Sequence, residues 1–393
     1  MKKYQKTSRI GRYHFDPMLI TVTISLLLTG FIMVVSSSLH LGVKAAEHGT
    51  FYHYPVRQLI HIGLGLFLGA CVALTPLKVW EKAGQGLFLA GLLLLVMVVI
   101  PGLGVNVNGS TRWLSLGGLR IQVSEVVKFF AVIYMAGYVM RHKQSIRDSA
   151  FGLIKPLILF LLASLLLLLE PDFGSAVVLM IIAMGSMFLA GARLSQFIAL
   201  LSVLAVSGGL LVRFETYRMK RIISFLDPWA DAKDTGYQLV HALISFGRGE
   251  IFGVGLGSGI QKLHYLPEAH TDFLFSVIAE ELGFVGVLFV ICLFTLLVWR
   301  TFQIGVAAEQ AGEHFAAFIA YGLGIWFGFQ SFVNMGVNMG ILPTKGLTLP
   351  LMSYGGGSMM IMCCAIALLF RVHSEVVEHN ASTPKERLIW ANA

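Results

Sequence analysis

Apolar stretches long enough to cross a bilayer recur along almost the whole chain, near residues 17–38, 57–76, 85–101, 122–140, 152–170, 174–192, 195–213, 273–299, 314–340 and 356–371. A transmembrane helix needs about 20 apolar residues, and in lipid only helices and closed barrels satisfy every backbone polar group. Segments of this length in this number predict an all-α, polytopic membrane protein of about ten transmembrane helices, built as a single integral membrane domain. Composition agrees, because 56% of the 393 residues are hydrophobic and only 13% are charged. That charge is about half of what an ordinary soluble domain carries, which excludes a water-soluble globule.

The formal charge of +8 has to be sorted by topology before it is read as a binding surface. Lys2, Lys3, Lys6, Arg9 and Arg12 precede the first apolar segment, which is too long for a signal-peptide core. It reads as a retained first span with a cytoplasmic tail, 1–16, in front of it. Ten spans then return the chain to the cytoplasm, leaving a second tail, 372–393. Arg141, Lys143 and Arg147 fall on the same side as Lys78, Lys82, Arg193 and Arg300, so the basic residues follow the positive-inside rule. Nucleic acid is not an expected partner. Cys71, Cys292, Cys363 and Cys364 all lie in apolar stretches, and neither a disulfide framework nor a spaced metal-ligand set is expected from them.

The seventh and eighth spans are separated by a large polar insertion, 214–272, placed on the outer face and too long to be an idle connection. Its basic residues, among them Arg218, Lys220, Arg221, Lys233, Arg248 and Lys262, are matched by acids, giving a mixed-charge surface. Leu239, Val240, Leu243 and Ile244 recur at helical spacing and predict a short amphipathic helix, lying on the membrane or packed on the insertion itself. Gly253, Gly255, Gly257 and Gly259 do not match the dinucleotide-binding spacing and read as a flexible or sharply turning loop.

Ionisable residues at span ends carry the functional signal, since a charge in lipid is costly unless it meets a partner or an aqueous cavity. Glu125 and Lys128 share a helical face at the start of the fourth span, able to pair or to line a head-group site, with the second use preferred. Glu170-Pro171-Asp172 turns the chain after the fifth span and presents two carboxylates. Glu280 and Glu281 lie two turns into the eighth span and need partners. Gln330, Asn334 and Asn338 form a polar stripe on the ninth span, for which interhelical hydrogen bonding is the favoured reading over a substrate path. Gly65 with Gly69, and Gly324 with Gly328, suit close helix packing. Arg112 and Trp113 sit in an outer loop, where an anchoring role is favoured, although the guanidinium could hold a phosphate. Pro267-Glu268-Ala269-His270-Thr271-Asp272 closes the insertion and offers two groups suited to general-base work, Asp272 ahead of His270.

These residues fall in motifs that together resemble one family: Asn108-Gly109-Ser110-Thr111-Arg112-Trp113, Gln122-Val123-Ser124-Glu125-Val126-Val127-Lys128, Glu170-Pro171-Asp172-Phe173-Gly174, Phe225-Leu226-Asp227-Pro228, Pro267-Glu268-Ala269-His270-Thr271-Asp272-Phe273 and Ser353-Tyr354-Gly355-Gly356. The chain resembles the SEDS proteins (shape, elongation, division and sporulation), bacterial peptidoglycan glycosyltransferases of the inner membrane. The resemblance covers nearly its whole length. The 267–272 motif and Gly340 to Pro350 look like the cell-division branch rather than the elongation branch. Val123 stands where the family usually has proline, and Gly357 where it usually has serine.

The resemblance implies polymerisation of lipid II at the division septum, with Asp272 as the general base and inversion at the anomeric carbon. It places Arg112, Trp113, Glu125, Lys128, Glu170, Asp172, Arg218, Arg221, His270, Lys345 and Ser353 around the substrate, the cations toward its diphosphate. It implies no certain cofactor, a divalent cation being a possible helper, and no dedicated metal site. Expected partners are a class B penicillin-binding transpeptidase and other membrane proteins of the division machinery. A lipid II carrier is the competing expectation from another class.

Overall fold

The computed structural model describes residues 13–45, 51–107, 110–116, 119–214, 216–344 and 346–382. The elements run α1 (Pro17–Ala45), α2 (His53–Leu74), α3 (Leu77–Val99), β1 (Gly104–Val107), β2 (Ser110–Leu116), β3 (Leu119–Gln122), α4 (Val123–Asp148), α5 (Ala150–Leu169), α6 (Phe173–Leu189), α7 (Leu194–Phe214), α8 (Thr216–Leu226), α9 (Tyr237–Gly249), α10 (Leu274–Gln310), α11 (His314–Asn338) and α12 (Gly356–Ser382). Eight of these are long and apolar enough to cross a membrane, and α6 and the first part of α7 are shorter apolar helices. The chain is thus a polytopic helical membrane protein, with one addition the apolar pattern does not foretell. The stretch expected to be an anchoring loop folds as a three-stranded antiparallel sheet in the order β1-β2-β3, pairing Gly104 with Leu114 and Trp113 with Gln122.

Burial follows apolar distribution. Helix α4 is apolar on nearly every side and lies at the centre, against α3, α5, α6 and α11. Helices α2, α3 and α7 turn residues such as Leu66, Phe67, Leu93 and Val206 outward, as helices facing lipid do. The glycine pairs serve close approach. A Cβ on Gly65 would lie 3.0 Å from Cys363 Sγ and one on Gly69 3.2 Å from the Cys363 carbonyl, so α2 and α12 pack nearly backbone to backbone.

Helix α10 is two helices joined at Gly283, whose φ of 63° and ψ of −161° are not helical. A Cβ there would sit 2.6 Å from the Ile251 carbonyl, so only glycine fits. The segment after α9 fills the break and takes up the backbone groups it frees. Val254 N donates to Glu280 O (3.0 Å), Gly255 N to Glu281 O (3.1 Å), Phe284 N to Glu250 O (2.9 Å) and Val285 N to Ile251 O (3.1 Å). An interrupted helix is tolerated at membrane depth when protein supplies these partners.

Loops gather at two ends of the bundle. One end holds the sheet, the α5–α6 turn, the long insertion and the α11–α12 connection. The other holds the α2–α3, α4–α5, α6–α7 and α10–α11 turns, where Arg193 Nε donates to Arg147 O (2.9 Å) and Arg300 pairs with Asp16.

Candidate functional site

Asp272 is the last polar residue of a turn-rich segment that leads into α10. Its backbone is pinned from α11: Asn334 Nδ2 and Asn338 Nδ2 donate to its carbonyl at 2.9 and 3.0 Å. The same stripe holds the segment of the α11–α12 connection that faces it. Asn334 Nδ2 donates to Leu347 O (2.5 Å) and Gln330 Nε2 to Thr348 O (3.0 Å), which brings Gly346 against the carboxylate. A Cβ on Gly346 would stand 3.0 Å from Asp272 Oδ2. Interhelical bonds, expected of this stripe, are also present. Gln330 Oε1 accepts from Lys128 Nζ of α4 (2.9 Å), and Asn338 Oδ1 accepts from Ser276 Oγ of α10 (2.7 Å).

The Asp272 side chain keeps a partly open surface but has protein on most sides. Burial, reinforced by the nearby charge of Glu268, raises its carboxyl to about 7; Arg112 and Arg221 oppose that rise, and Asp172 adds to it. A carboxylate so tuned is half ionised near neutrality, the condition under which a general base is most useful. His270, two residues before it, packs its ring on Tyr54 (5.0 Å between centroids) and Tyr354 (5.4 Å) and leaves Nδ1 without a hydrogen-bond partner among the described residues. Its carbonyl accepts from Tyr354 N (2.9 Å). Burial lowers its pKa, so it is neutral at pH 7.

Two arginines gird the site while binding neighbouring loops. Arg112, on β2, donates from Nε to Glu170 O (3.3 Å) and from Nη2 to Pro171 O (2.6 Å), tying the sheet to the α5–α6 turn. Arg221, on α8, donates from Nη1 to Thr344 O (3.2 Å), tying the insertion to the α11–α12 connection. Both guanidiniums are near enough to act on the Asp272 charge. Glu170 and Asp172 are buried. Asp172 Oδ1 caps α6 by accepting from Ser175 N (3.2 Å), whereas both Glu170 oxygens lack a hydrogen-bond partner among the described residues. Burial and the adjacent Asp172 raise Glu170 to about 8, partly offset by Arg112, so it is mostly protonated at neutral pH.

The remaining sequence candidates are placed as follows. Trp113 neighbours Arg112 on β2, half-buried. Glu125 and Lys128 form a buried pair at 2.6 Å, the ammonium lying 5.5 Å from the centroid of the Trp326 ring, so both face protein. Ser353 is buried and accepts from Leu349 N (2.9 Å), holding the turn before Tyr354. Arg218 belongs to α8, with its side chain outside the described residues, as is Lys345 altogether. Sequence reasoning missed Gly346, which gives the carboxylate its space, and Arg57 and Arg120, whose charges act on the half-buried Tyr354. The signal for Arg57 was a cation in the first turns of an otherwise apolar helix. Among the described residues no three His, Cys, Asp or Glu side chains converge to hold a metal ion.

The model of a family described as cell cycle protein, FtsW/RodA/SpoVE, matches residues 17–378. The "Probable peptidoglycan glycosyltransferase FtsW" of Methylomonas methanica is 64% identical over 374 residues, covering 95% of this chain and 96% of its own. A solved structure described as "Structural coordination of polymerization and crosslinking by a peptidoglycan synthase complex" superposes with a TM-score of 0.75 at 28% identity, covering 93% of this chain and 99% of that one. The rod shape determining protein RodA of Thermus thermophilus does so with a TM-score of 0.66 at 27% identity, over 91% of this chain and 96% of that one. With motifs, fold and near full-length identity in agreement, the chain belongs to the FtsW/RodA/SpoVE family of cell cycle proteins, the SEDS proteins.

Proposed function

We propose that this protein is a division-type peptidoglycan glycosyltransferase that polymerises lipid II, with Asp272 as its general base. The observation that carries the reading is one carboxylate whose backbone Asn334 and Asn338 pin at a loop-lined end of a membrane bundle, with Arg112 and Arg221 near enough for their charges to act on it. In the reaction the 4-hydroxyl oxygen of an incoming lipid II sugar attacks the anomeric carbon of the growing strand. Asp272 takes the hydroxyl proton, the bond to the diphosphate breaks on the opposite face, and undecaprenyl diphosphate leaves with inversion. Arg112 and Arg221 favour the negative charge that builds on the departing group. A lipid-linked substrate keeps its tail in the bilayer and offers its diphosphate at head-group level, and the positive-inside distribution of Arg141, Lys143 and Arg147 supports a periplasmic Asp272 end with both termini in the cytoplasm. A divalent cation, where one shares the diphosphate charge, would arrive with the substrate's own oxygens as its main ligands.

Support against a lipid carrier comes from α11. A polar path through the membrane would use Gln330, Asn334 and Asn338, but their amide nitrogens are spent on carbonyls of the Asp272 region. The class B penicillin-binding transpeptidase and other septal proteins are the partners this activity calls for, since naked strands have to be cross-linked where they are made.

The test is polymerisation of labelled lipid II by the purified full-length chain in liposomes, with the transpeptidase present. Asp272→Asn is expected to lower the rate by about 10²-fold or more while leaving thermal stability and lipid II binding in place. Unchanged polymer from that variant would remove Asp272 as the base.

A further inference from the structure

The break at Gly283 has a mechanical consequence for Asp272. It cuts the short helix 274–282 off from the long remainder of α10, so the residues just after Asp272 are not braced by a continuous helix. The segment 263–273 is strung between Lys262 and the start of α10 at Leu274. What ties Lys262 to helix 274–282, at Glu281 near its far end, is a cluster of buried charge. Glu281 accepts from Lys262 Nζ (2.6 Å), Gly257 N (2.9 Å) and Ser36 Oγ of α1 (2.7 Å). Lys262 Nζ donates in turn to Ser36 Oγ (2.8 Å) and Gly257 O (2.9 Å). Glu280 accepts from Ile260 N (2.9 Å) and Gln261 N (3.1 Å), with Arg248 Nε at 3.6 Å.

Both carboxylates are fully buried and Lys262 is 5% exposed. Charges so placed are costly unless paired and hydrogen-bonded, and apolar side chains of similar volume would often be at least as stable. Neither glutamate is among the groups whose charge acts on Asp272. Their geometry closes a loop: three side chains from three segments meet at the base of the stretch that carries the base.

We propose that Glu281, Lys262 and Ser36 form a staple that positions Asp272, closing the foot of segment 263–273 onto helix 274–282 and fastening both to α1. This rests on the reading of Asp272 as the catalytic base. Lys262 and Glu281 are positioning residues; they act through the backbone, together with the Asn334 and Asn338 bonds to the Asp272 carbonyl. A misplacement of about 1 Å is enough to cost about 10²-fold in rate.

The experiment compares full-length wild type, Lys262→Met and Lys262→Arg in liposomes, with the transpeptidase present, by lipid II polymerisation and by amide hydrogen exchange. Lys262→Met is expected to lower kcat by about tenfold or more with KM within about twofold, because it disturbs the reacting group and not the binding surface. Lys262→Arg, which keeps the charge and the donors, is expected to restore most of kcat. Amides of 263–273 are expected to exchange about tenfold faster in Lys262→Met, with α11 and α12 unchanged. Unchanged exchange in 263–273, or a released segment with unchanged kcat, overturns the staple. A wild type that makes no polymer while Lys262→Met still speeds exchange overturns the polymerase reading and leaves the staple standing. If Lys262→Met does not fold, Ser36→Ala removes only the shared hydroxyl, and the same two readouts apply.

Discussion

At the scale of single residues, Asp272 and His270 show how neighbours separated by one position take opposite roles. The imidazole packs its ring on Tyr54 and Tyr354 with Nδ1 left without a hydrogen-bond partner among the described residues, and burial lowers its pKa, whereas the carboxylate faces Gly346 and keeps a partly open surface. Because burial and Glu268 raise Asp272 to about 7, polymerisation is expected to fall about tenfold per pH unit below that value and to level off above it, measured as kcat/KM against pH. Glu268→Gln removes one raising charge and is expected to move that limb to lower pH. The sign for stability is opposite. A carboxyl raised from 3.8 to about 7 favours the protonated folded state, so its contribution is lost as pH rises through that window.

Among the elements, α10 is the most informative. Its apolar pattern, broken only by Glu280 and Glu281, resumes directly after Gly283, yet the backbone there is left-handed and the segment after α9 occupies the gap. Gly283→Ala combines an unfavourable φ with a clash against backbone, and is expected to cost more than the ~1–3 kcal/mol of backbone strain alone, read as a lower thermal midpoint in detergent. The glycine run at 253, 255 and 257, expected to be flexible or sharply turning, is the turning kind, with φ between 79° and 100°. Its bonds to Glu280 and Glu281 fix it. Helix α9, foreseen as amphipathic, lays Leu239, Val240 and Ala242 inward and Phe246 against Phe275 of α10, so it packs on protein.

For the whole molecule, the buried Glu125–Lys128 pair with Gln330 and Trp326 ties α4 to α11 at the centre of the bundle. Lys128→Met strands a buried carboxylate and is expected to destabilise by ~3–5 kcal/mol, while Lys128→Met with Glu125→Leu recovers much of that loss, measured by chemical denaturation in detergent. Recovery would mark the pair as a brace, whereas loss of lipid II binding in a stable double variant would mark it as a substrate contact. The arginines act on the same scale. Arg112 and Arg221 each join two loops that are far apart in sequence, so the Asp272 end is a single tied assembly of sheet, turn, insertion and connection.

The sequence by itself determined the membrane class, the spans and the acid at the end of the insertion. Apolar length and charge placement are local properties, and lipid leaves the backbone little choice but the helix. The motifs also carried the family. Only the tertiary structure decided how that acid is held. The α11 amides read as a helix seam until the fold brings the Asp272 and Leu347 carbonyls onto them, and Glu280 and Glu281 had no readable partner until residues 257–262 folded back across a broken helix. The strands at 104–122 were hidden for a related reason. Their pairing depends on cross-strand neighbours, and segments of only four to seven residues carry too little of that pattern along the chain to announce a sheet.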